Sequence, residues 1–411
     1  MTYPLVRMKF IADEKLMYGA NESAELDDRD LPRYIRITDL NSEGNLKEDT
    51  FKSLEWEKAK PYLLRKGDIL FARSGATVGK AYIHETGEPA CYAGYLIKLK
   101  VDLKKCLPKF VFYYTQTNKY AAWIAENTIQ ATIQNVSAEK YANLFLPLPS
   151  LKLQEIIIKY LENNVAHIDG LIAKKIKYID LLEQQRQSII TEAVTKGLNP
   201  NVKMKDSGVK WIGEIPEKWK NVKLGWYISI FGSVEISGGY FTAPFFKVND
   251  LNMDKGKLVL SKSNGMVENN TPPITGKKIL IPKRGAAIFT NKVRVIYEDC
   301  YIDSNLMAIV PKKELKIKYL AYLLWARKLG DIADTSTIPQ INNKQINPLK
   351  VPLPSIEEQS EIVRYIEHSS DEILNLIRNI ENQINNLKEY RQALIYEAVT
   401  GKIDVRDMEL D

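Results

Sequence analysis

The chain contains one stretch of sequence twice, and this repeat limits what it can fold into. The motif Leu-Pro-Leu-Pro-Ser at 146–150 returns 205 positions later as Val-Pro-Leu-Pro-Ser at 351–355. The same shift, without a gap, aligns Gln154 with Gln359 and the Glu-Ala-Val-Thr run at 192–195 with its copy at 397–400. A chain built twice on one plan is expected to carry one site twice.

The repeated stretches have the apolar spacing of long helices. Apolar residues alternate at intervals of four and three, which is the 3.5-residue period of a coiled-coil seam. Proline precedes each stretch, serine stands where it can cap the first turn, and a glycine, Gly197 or Gly401, ends it. We predict that the two helices pair with each other, antiparallel if the copies obey a pseudo-two-fold relation. The predicted seam residues are Leu161, Ile168, Ile172, Ile179, Leu182, Arg186 and Ile189, then Ile366, Ile373, Ile377, Ile380, Ile384, Leu387, Arg391 and Leu394.

Two arginines, Arg186 and Arg391, occupy equivalent seam positions in the two helices. One interpretation is that the guanidinium of each extends along its stem to reach water. The other is that they form a paired polar element that fixes register or orientation. The sequence leaves both open.

The repeat divides the chain into two globular heads, each followed by a long helix. The first head is predicted at 1–150, its helix at 151–197, the second head at 198–355, its helix at 356–403 and a tail at 404–411. The fold class is mixed α+β, with two α/β heads and an antiparallel coiled coil. β-rich runs at 33–40, 68–72, 80–83 and 94–100 precede a helical stretch at 108–126 in the first head.

The two heads resemble each other less closely than the two helices do. Residues 34–40 are similar to 245–251, and residues 95–97 are similar to 305–307. Divergence of the heads is expected where two modules share an architecture but recognise different partners.

Composition and charge exclude some classes of protein but do not identify the function. The net charge of +7, from 58 basic and 51 acidic residues, permits nucleic-acid binding without requiring it. Cys91, Cys106 and Cys300 are scattered, which favours a reducing compartment, the cytoplasm, over a disulfide or zinc framework. No apolar run approaches the ~18 residues of a membrane span, and the first residues lack the layout of a signal peptide.

No catalytic or metal-binding constellation is found in the sequence. The Gly-Ala-Thr-Val-Gly-Lys run at 75–80 is one residue short of a phosphate-binding loop, and Ala81 stands where a magnesium-binding hydroxyl is needed. His84, His167 and His368 have no ligand-like neighbours. The Asn-Pro-Pro-aromatic motif of base methyltransferases is missing from the sequence. We therefore expect no cofactor bound by this chain.

Polar and basic residues in loops of both heads are the candidate DNA-binding set. Small residues in a glycine-rich turn let the backbone approach a nucleic acid, while basic side chains reach phosphates or base edges and amides suit base edges. The alternative is that these residues have no binding role, and that they form a hairpin with solvated charges and an ordinary polar loop. The candidates are Arg36, Thr38, Arg73, Ser74, Thr77, Lys80, Gln130, Thr132 and Gln134 in the first head, and Lys247, Asn249, Lys283, Arg284, Asn291, Lys292, Arg294, Thr337 and Gln340 in the second.

Several motifs in combination identify a family. They are Trp-Ile-Gly-Glu-Ile-Pro-Glu-Lys-Trp at 211–219, Lys-Gly-Asp-Ile-Leu-Phe at 66–71, the two Pro-Leu-Pro-Ser junctions, and Tyr-Arg-Gln-Ala-Leu-Ile at 390–395. Over essentially its whole length the chain resembles the specificity subunits of type I restriction-modification systems. It departs from the family pattern in two places: the second head lacks the glycine turn, and the first head retains only 4–10 of the opening motif.

The resemblance implies a non-catalytic, DNA-binding subunit. Each head would recognise one half of a bipartite double-stranded DNA target, and the coiled coil would set the unread spacer. Two methyltransferase subunits, which carry S-adenosylmethionine, and restriction/translocase subunits, which use ATP and Mg, would be its partners. About 45 helical residues span roughly 65–70 Å, about two turns of B-DNA. The alternatives are a helical scaffold whose heads read no DNA and, third, a stand-alone enzyme.

Overall fold

A computed structural model describes residues 3–41, 44–128, 135–253, 256–260, 263, 265–335 and 338–406. The chain divides into two compact units, the first made of Met1–Lys175 with Asn382–Asp411 and the second of Ile176–Glu381. Each unit therefore contains one head, the first part of the helix that follows it and the last part of the other long helix.

The first head combines short strands with short helices. Its strands are β1 (Leu5–Arg7), β2 (Met17–Tyr18), β3 (Arg33–Ile35), β4 (Ile69–Ala72), β5 (Ala81–Ile83), β6 (Ala90–Tyr92), β7 (Leu96–Leu99) and β8 (Phe145–Pro147). Its helices are α1 (Trp56–Ala59), α2 (Pro108–Tyr114), α3 (Asn118–Thr128) and α4 (Ala138–Ala142), and the long helix α5 (Leu151–Lys196) follows.

The second head has a similar set of elements. Its strands are β9 (Met204–Asp206), β10 (Glu214–Pro216), β11 (Lys220–Lys223), β12 (Ile228–Phe231), β13 (Phe241–Phe246), β14 (Met266–Asn269), β15 (Lys278–Pro282), β16 (Arg294–Ile296), β17 (Tyr301–Ile302), β18 (Leu306–Pro311) and β19 (Lys350–Leu353). Its helices are α6 (Ile317–Arg327) and α7 (Asn343–Ile346), and the long helix α8 (Ile356–Thr400) follows.

The two heads share one sheet topology. An antiparallel sheet has the order β2-β7-β4-β5 in the first head and β12-β18-β15-β16 in the second. In each head a parallel pair accompanies it, β3 with β6 and β13 with β17. A further antiparallel pair, β1 with β8 or β11 with β19, brings the chain to the start of the long helix. The internal repeat therefore extends to the heads, although their sequences have diverged.

The long helices bury the predicted seam. Their apolar seam residues are buried or half-buried, as the spacing of four and three predicts. In the first unit, Lys175 donates to Gln383 at 2.6 Å and Arg391 donates to Asp169 at 2.9 Å. Residue numbers decrease along α8 as they increase along α5 between these two contacts, so the two segments run antiparallel. Both helices end at a glycine with positive φ, 77° at Gly197 and 74° at Gly401, as predicted.

Each unit has a core to which its helix segments contribute. In the first, Leu161 and Ile168 of α5 and Ile395 of α8 lie in one apolar cluster with Phe71 and Phe110 of the head. In the second, segments of α5 and α8 join the sheet and α6 in the same way, including Ile190, Ile362 and Ile366. Head and helices are therefore one packed body within each unit.

Two sequence predictions about elements were wrong in extent. The run at 33–40 is a strand only to Ile35, because Asp39 accepts from the backbone N–H of Arg36 and folds the next residues into a 3₁₀ turn. The helical stretch at 108–126 is two helices rather than one. It breaks after Tyr114, where the Thr115 and Thr117 hydroxyls donate back to main-chain carbonyls. Across the described residues, no helix is both long and apolar enough to cross a membrane.

Candidate nucleic-acid interface

The glycine turn of the first head joins β4 to β5, two antiparallel strands of the main sheet. Gly75 and Gly79 have φ of 71° and 84°, in the region that only glycine adopts at low cost. A side chain at Gly79 would also press against Ile124, since a Cβ built there lies 2.9 Å from it. The turn leads into a strand, whereas a phosphate-binding loop leads into a helix.

Arg73 is held in a defined position at the start of this turn. Its guanidinium lies over the ring of Tyr18, 4.6 Å from the centroid, and its Nε donates to Asn135 Oδ1 at 3.3 Å. Its backbone N–H donates to Tyr95 and its carbonyl accepts from Val136. Because this half-buried arginine is already ordered, binding a ligand would cost it little further side-chain entropy.

The second head carries an equivalent turn, which corrects the sequence prediction that it lacks one. Lys283 donates from its backbone to Asn305 and accepts from Ile341, as Arg73 does with Tyr95 and Val136. Gly285 has φ of 79°, matching Gly75. The turn was missed because its second left-handed residue is Asn291, with φ of 50°, rather than glycine.

Asn291 has a structural role in that turn. Its Nδ2 donates to the carbonyl of Trp325 at 2.7 Å, and its Oδ1 accepts from the N–H of Leu329 at 3.0 Å. Both groups of the amide are therefore engaged within the protein. The basic residues Lys292 and Arg294, which follow it, line a small cavity.

Arg36 and Lys247 occupy matching places at the ends of β3 and β13. The backbone N–H of each donates to the carboxylate of an aspartate three residues later in the chain, Asp39 or Asp250. The Arg36 guanidinium also donates to Asp39 and to the carbonyl of Thr50, whereas the Lys247 side chain is exposed. The two heads therefore present different side chains from one backbone frame.

The remaining candidates lie around these turns or outside the described residues. The Thr77 hydroxyl donates to the Ser74 carbonyl at 3.4 Å, and Lys80 Nζ to the Leu40 carbonyl at 3.5 Å. The backbone of Ser74 forms an antiparallel β-bridge with that of Asn135, and the backbone of Arg284 forms one with that of Gln340, whose side chain is exposed. Thr38 and Asn249 are exposed. Four candidates lie outside the described residues: Gln130, Thr132, Gln134 and Thr337.

A cavity of about 510 Å³ adjoins the first turn, and sequence reasoning missed most of its lining. Arg36, Thr38, Asn21 and Tyr95 are among the residues that line it. Tyr95 is 60% exposed, and in the second head Tyr240 is 95% exposed, next to a Gly-Gly pair. Tyr95 lies beside the first turn, because its carbonyl accepts from the backbone N–H of Arg73. An exposed aromatic ring is suited to stacking on an unpaired base. A tyrosine flanked by small residues was the available sequence signal.

Known proteins share both the sequence pattern and the fold. The family model for the type I restriction modification DNA specificity domain matches residues 11–181 and again 216–386. The chain is 26% identical to the MjaVIII type I restriction enzyme specificity subunit of Methanocaldococcus jannaschii, over 85% of this chain and 82% of that one. It is also 26% identical to the EcoBI specificity subunit of Escherichia coli, over 77% of this chain and 70% of that one.

Two solved structures have the same fold. One, from a study of complex assembly and conformational transition of the type I restriction-modification system, aligns with a TM-score of 0.75 at 18% identity, over 98% of both chains. The crystal structure of the HsdS subunit from Thermoanaerobacter tengcongensis aligns with a TM-score of 0.52 at 18% identity, over 98% of this chain and 97% of that one. Since the family model matches both heads and covers most of the sequence, the chain belongs to the type I restriction modification DNA specificity domain family.

Proposed function

We propose that this chain is the DNA-recognition subunit of a type I restriction-modification complex and that each head recognises one half of a bipartite target. The observation that carries the proposal is the double match to a DNA specificity domain, at 11–181 and 216–386. Each match takes in most of one head and the first part of the long helix after it. The chain itself performs no catalysis.

The two turns support a DNA-binding role for both heads. Arg73 and Lys283 are basic residues at the same place in the same backbone frame. A guanidinium can bind a guanine edge through two hydrogen bonds, whereas an ammonium acts as a point charge. The two heads also differ at another matching place, where the first has Arg36 and the second has Lys247. Both differences support recognition of different half-sites by the two heads.

The long helices are proposed to set the unread spacer between the half-sites. α5 and α8 contain 46 and 45 residues, so each is about 68 Å long. That length corresponds to about two turns of B-DNA, and major-groove segments that face the same side recur at every whole turn. A packed pair of helices is stiffer than a loop and so suits a fixed distance.

Methyltransferase subunits are the proposed partners, two in number because the helices are duplicated. Large apolar side chains on the long helices are exposed, including Leu181, Tyr365 and Leu376. Such side chains suit association with helices of another protein. Restriction/translocase subunits would join this complex. S-adenosylmethionine, ATP and Mg would be bound by the partners, and the complex would act in the cytoplasm.

The helical scaffold whose heads read no DNA is the less favoured candidate. It explains the paired helices, but not why both heads match a DNA specificity domain or why both present a basic glycine turn.

Methylome mapping tests the proposal directly. A host without methylation of its own would express the cognate methyltransferase subunit with the full chain, and sequencing would locate methylated adenines. We expect one motif made of two short half-sites separated by a fixed unread spacer. Cells with the methyltransferase alone are the control. A continuous motif, or the same motif without this chain, would contradict the proposal.

A further inference from the structure

The glycine turn of the first head is short. Its first residue with positive φ is Gly75, whose carbonyl accepts from the backbone N–H of Val78 at 3.1 Å. The residue after Val78 is Gly79, which also has positive φ. Between the two glycines, Ala76 is exposed, while Thr77 and Val78 are half-buried. The exposed part of this turn is therefore small.

The equivalent turn of the second head begins at Gly285 and is two residues longer. The Gly285 carbonyl accepts from the N–H of Ile288 at 3.2 Å, so Ile288 matches the valine of the first turn. The next residue with positive φ is Asn291, which leaves five residues between these positions where the first turn has three. The two extra residues are Phe289 and Thr290, and both are exposed.

The ring of Phe289 has a defined position, although 55% of the residue is exposed. A Cβ built on Gly330 would lie 2.8 Å from Cδ1 of Phe289 and 3.5 Å from its Cε1, so the ring lies against the backbone of Gly330. Asn291 fixes the segment before Gly330, because its Oδ1 accepts from the N–H of Leu329 and its Nδ2 donates to the carbonyl of Trp325. A ring ordered in this way would lose little further entropy when it binds a ligand.

The segment that supports the ring has an uncommon backbone conformation. Lys328 has φ of 56° and ψ of 102°, although a residue with a side chain rarely has positive φ. Its N–H donates to the carbonyl of Trp325 at 3.2 Å. Strained residues of this kind persist where the surrounding structure fixes them, and they are concentrated at binding sites. The exposed Lys328 side chain, suited to a DNA phosphate, is two residues before Gly330.

We propose that Phe289 recognises the C5-methyl group of a thymine in the half-site of the second head, an inference that rests on the proposed function. Among the groups that unmodified bases present in the major groove, the thymine methyl is the apolar one, and phenylalanine is a side chain that contacts it. Nearly half of Phe289 is already covered by the protein. The ring therefore cannot be inserted whole between base pairs, as an apolar wedge is, without leaving Gly330.

Replacement of thymine by deoxyuridine tests this contact, because it removes only the methyl group. Each thymine in the target duplex found by methylome mapping would be replaced in turn. Fluorescence anisotropy would then measure binding by the full chain with its cognate methyltransferase subunit. We expect at least one position at which loss of the methyl weakens binding about fourfold, the effect of burying one methyl group. The Phe289→Ala variant should bind the thymine and deoxyuridine duplexes equally at that position.

Three further variants separate the ring from its support and from general effects of an exposed ring. Phe289→Leu keeps an apolar side chain and should retain part of the discrimination. Gly330→Ala displaces the ring without removing it and should reduce the discrimination. Phe10→Ala is the matched control, since Phe10 in the first head is 57% exposed, and it should leave the discrimination unchanged. Melting temperatures show whether each variant is folded.

The outcomes distinguish this inference from the proposed function. The inference is overturned if the native chain binds the thymine and deoxyuridine duplexes equally at every position. It is also overturned if folded Phe289→Ala and Phe289→Leu variants discriminate as well as the native chain does. Either result is compatible with selective binding of the target, so the proposed function would stand. A native chain that binds the target no more tightly than a random duplex would contradict the proposed function and this inference together.

Discussion

The side-chain oxygen of Gln154, in the first turn of α5, accepts a hydrogen bond from the backbone N–H of Leu107 at 2.8 Å. Its Nε2 donates to the carbonyls of Pro149 and Lys105, so one fully buried amide connects the long helix to two segments of the first head. Gln359 does the same in the second copy, accepting from Lys316 and donating to Pro354 and Glu314. The repeat therefore preserves the junction of helix and head, down to single hydrogen bonds.

Replacing Gln154 by leucine should destabilise the first unit. The change keeps the volume but leaves a buried N–H and two carbonyls without partners, and each such loss costs about 1–3 kcal/mol. We expect a decrease of about 3 kcal/mol in the apparent free energy of unfolding, measured by denaturant titration. Gln359→Leu should cost a similar amount in the second unit. Gln185→Leu, at an exposed position on the same helix, is the matched control and should change stability little.

Substitution of Arg73 tests whether it contacts a base or a phosphate. Its guanidinium is fixed over Tyr18 and bonded to Asn135, which favours a directional contact to a base edge. We expect Arg73→Ala to weaken binding to the target duplex by about 1–3 kcal/mol, with a smaller loss on random DNA. Fluorescence anisotropy with both duplexes measures the difference. Equal loss on both would make Arg73 a phosphate contact, and the exposed Arg364→Ala controls for lost charge.

The sequence predicts the long helices well because their periodicity is local. The spacing of Leu161 and Ile168 predicts that both face an apolar environment, and both are buried in the structure. Side-chain partners depend on which segments meet in space. Nothing in the spacing places Gln116 beside Arg391 or Trp325 beside Arg186.

The turn of the second head was hidden for a different reason. A glycine pattern predicts a turn only where glycine occupies each left-handed position. In the second head, one of the two left-handed positions of the turn is occupied by Asn291 instead. Asparagine adopts that conformation more readily than most other residues with a side chain, so a search for glycine misses it.

Substitutions at Asn291 separate its backbone role from its side-chain role. Alanine loses two hydrogen bonds and must also hold a left-handed conformation, which costs about 1–2 kcal/mol more than in glycine. Asn291→Gly loses the same hydrogen bonds without that strain. We therefore expect the Asn291→Ala variant to be less stable than the Asn291→Gly variant by about 1 kcal/mol. At positions with ordinary backbone angles the order is the opposite, because alanine reduces the conformational entropy of the unfolded chain. Chemical unfolding of the two variants gives the answer, and the reverse order would show that the turn has relaxed.

Shortening both long helices by one heptad tests whether they set the spacer of the DNA target. Deletion of 172–178 from α5 and of the equivalent 377–383 from α8 preserves the alternation of four and three on each seam. Seven residues shorten a helix by about 10.5 Å, equal to about three base pairs at ~3.4 Å each. We expect the spacer of the methylated motif to shrink by about three base pairs while both half-sites stay the same.

Deleting the heptad from one helix alone provides the control for that experiment. It removes the register between the two seams, so the chain should lose stability instead of acquiring a new spacer. Methylome mapping of each variant, with thermal unfolding alongside, separates these outcomes. If the doubly shortened chain folds and methylates sites with the original spacer, the helices do not determine the distance between the half-sites.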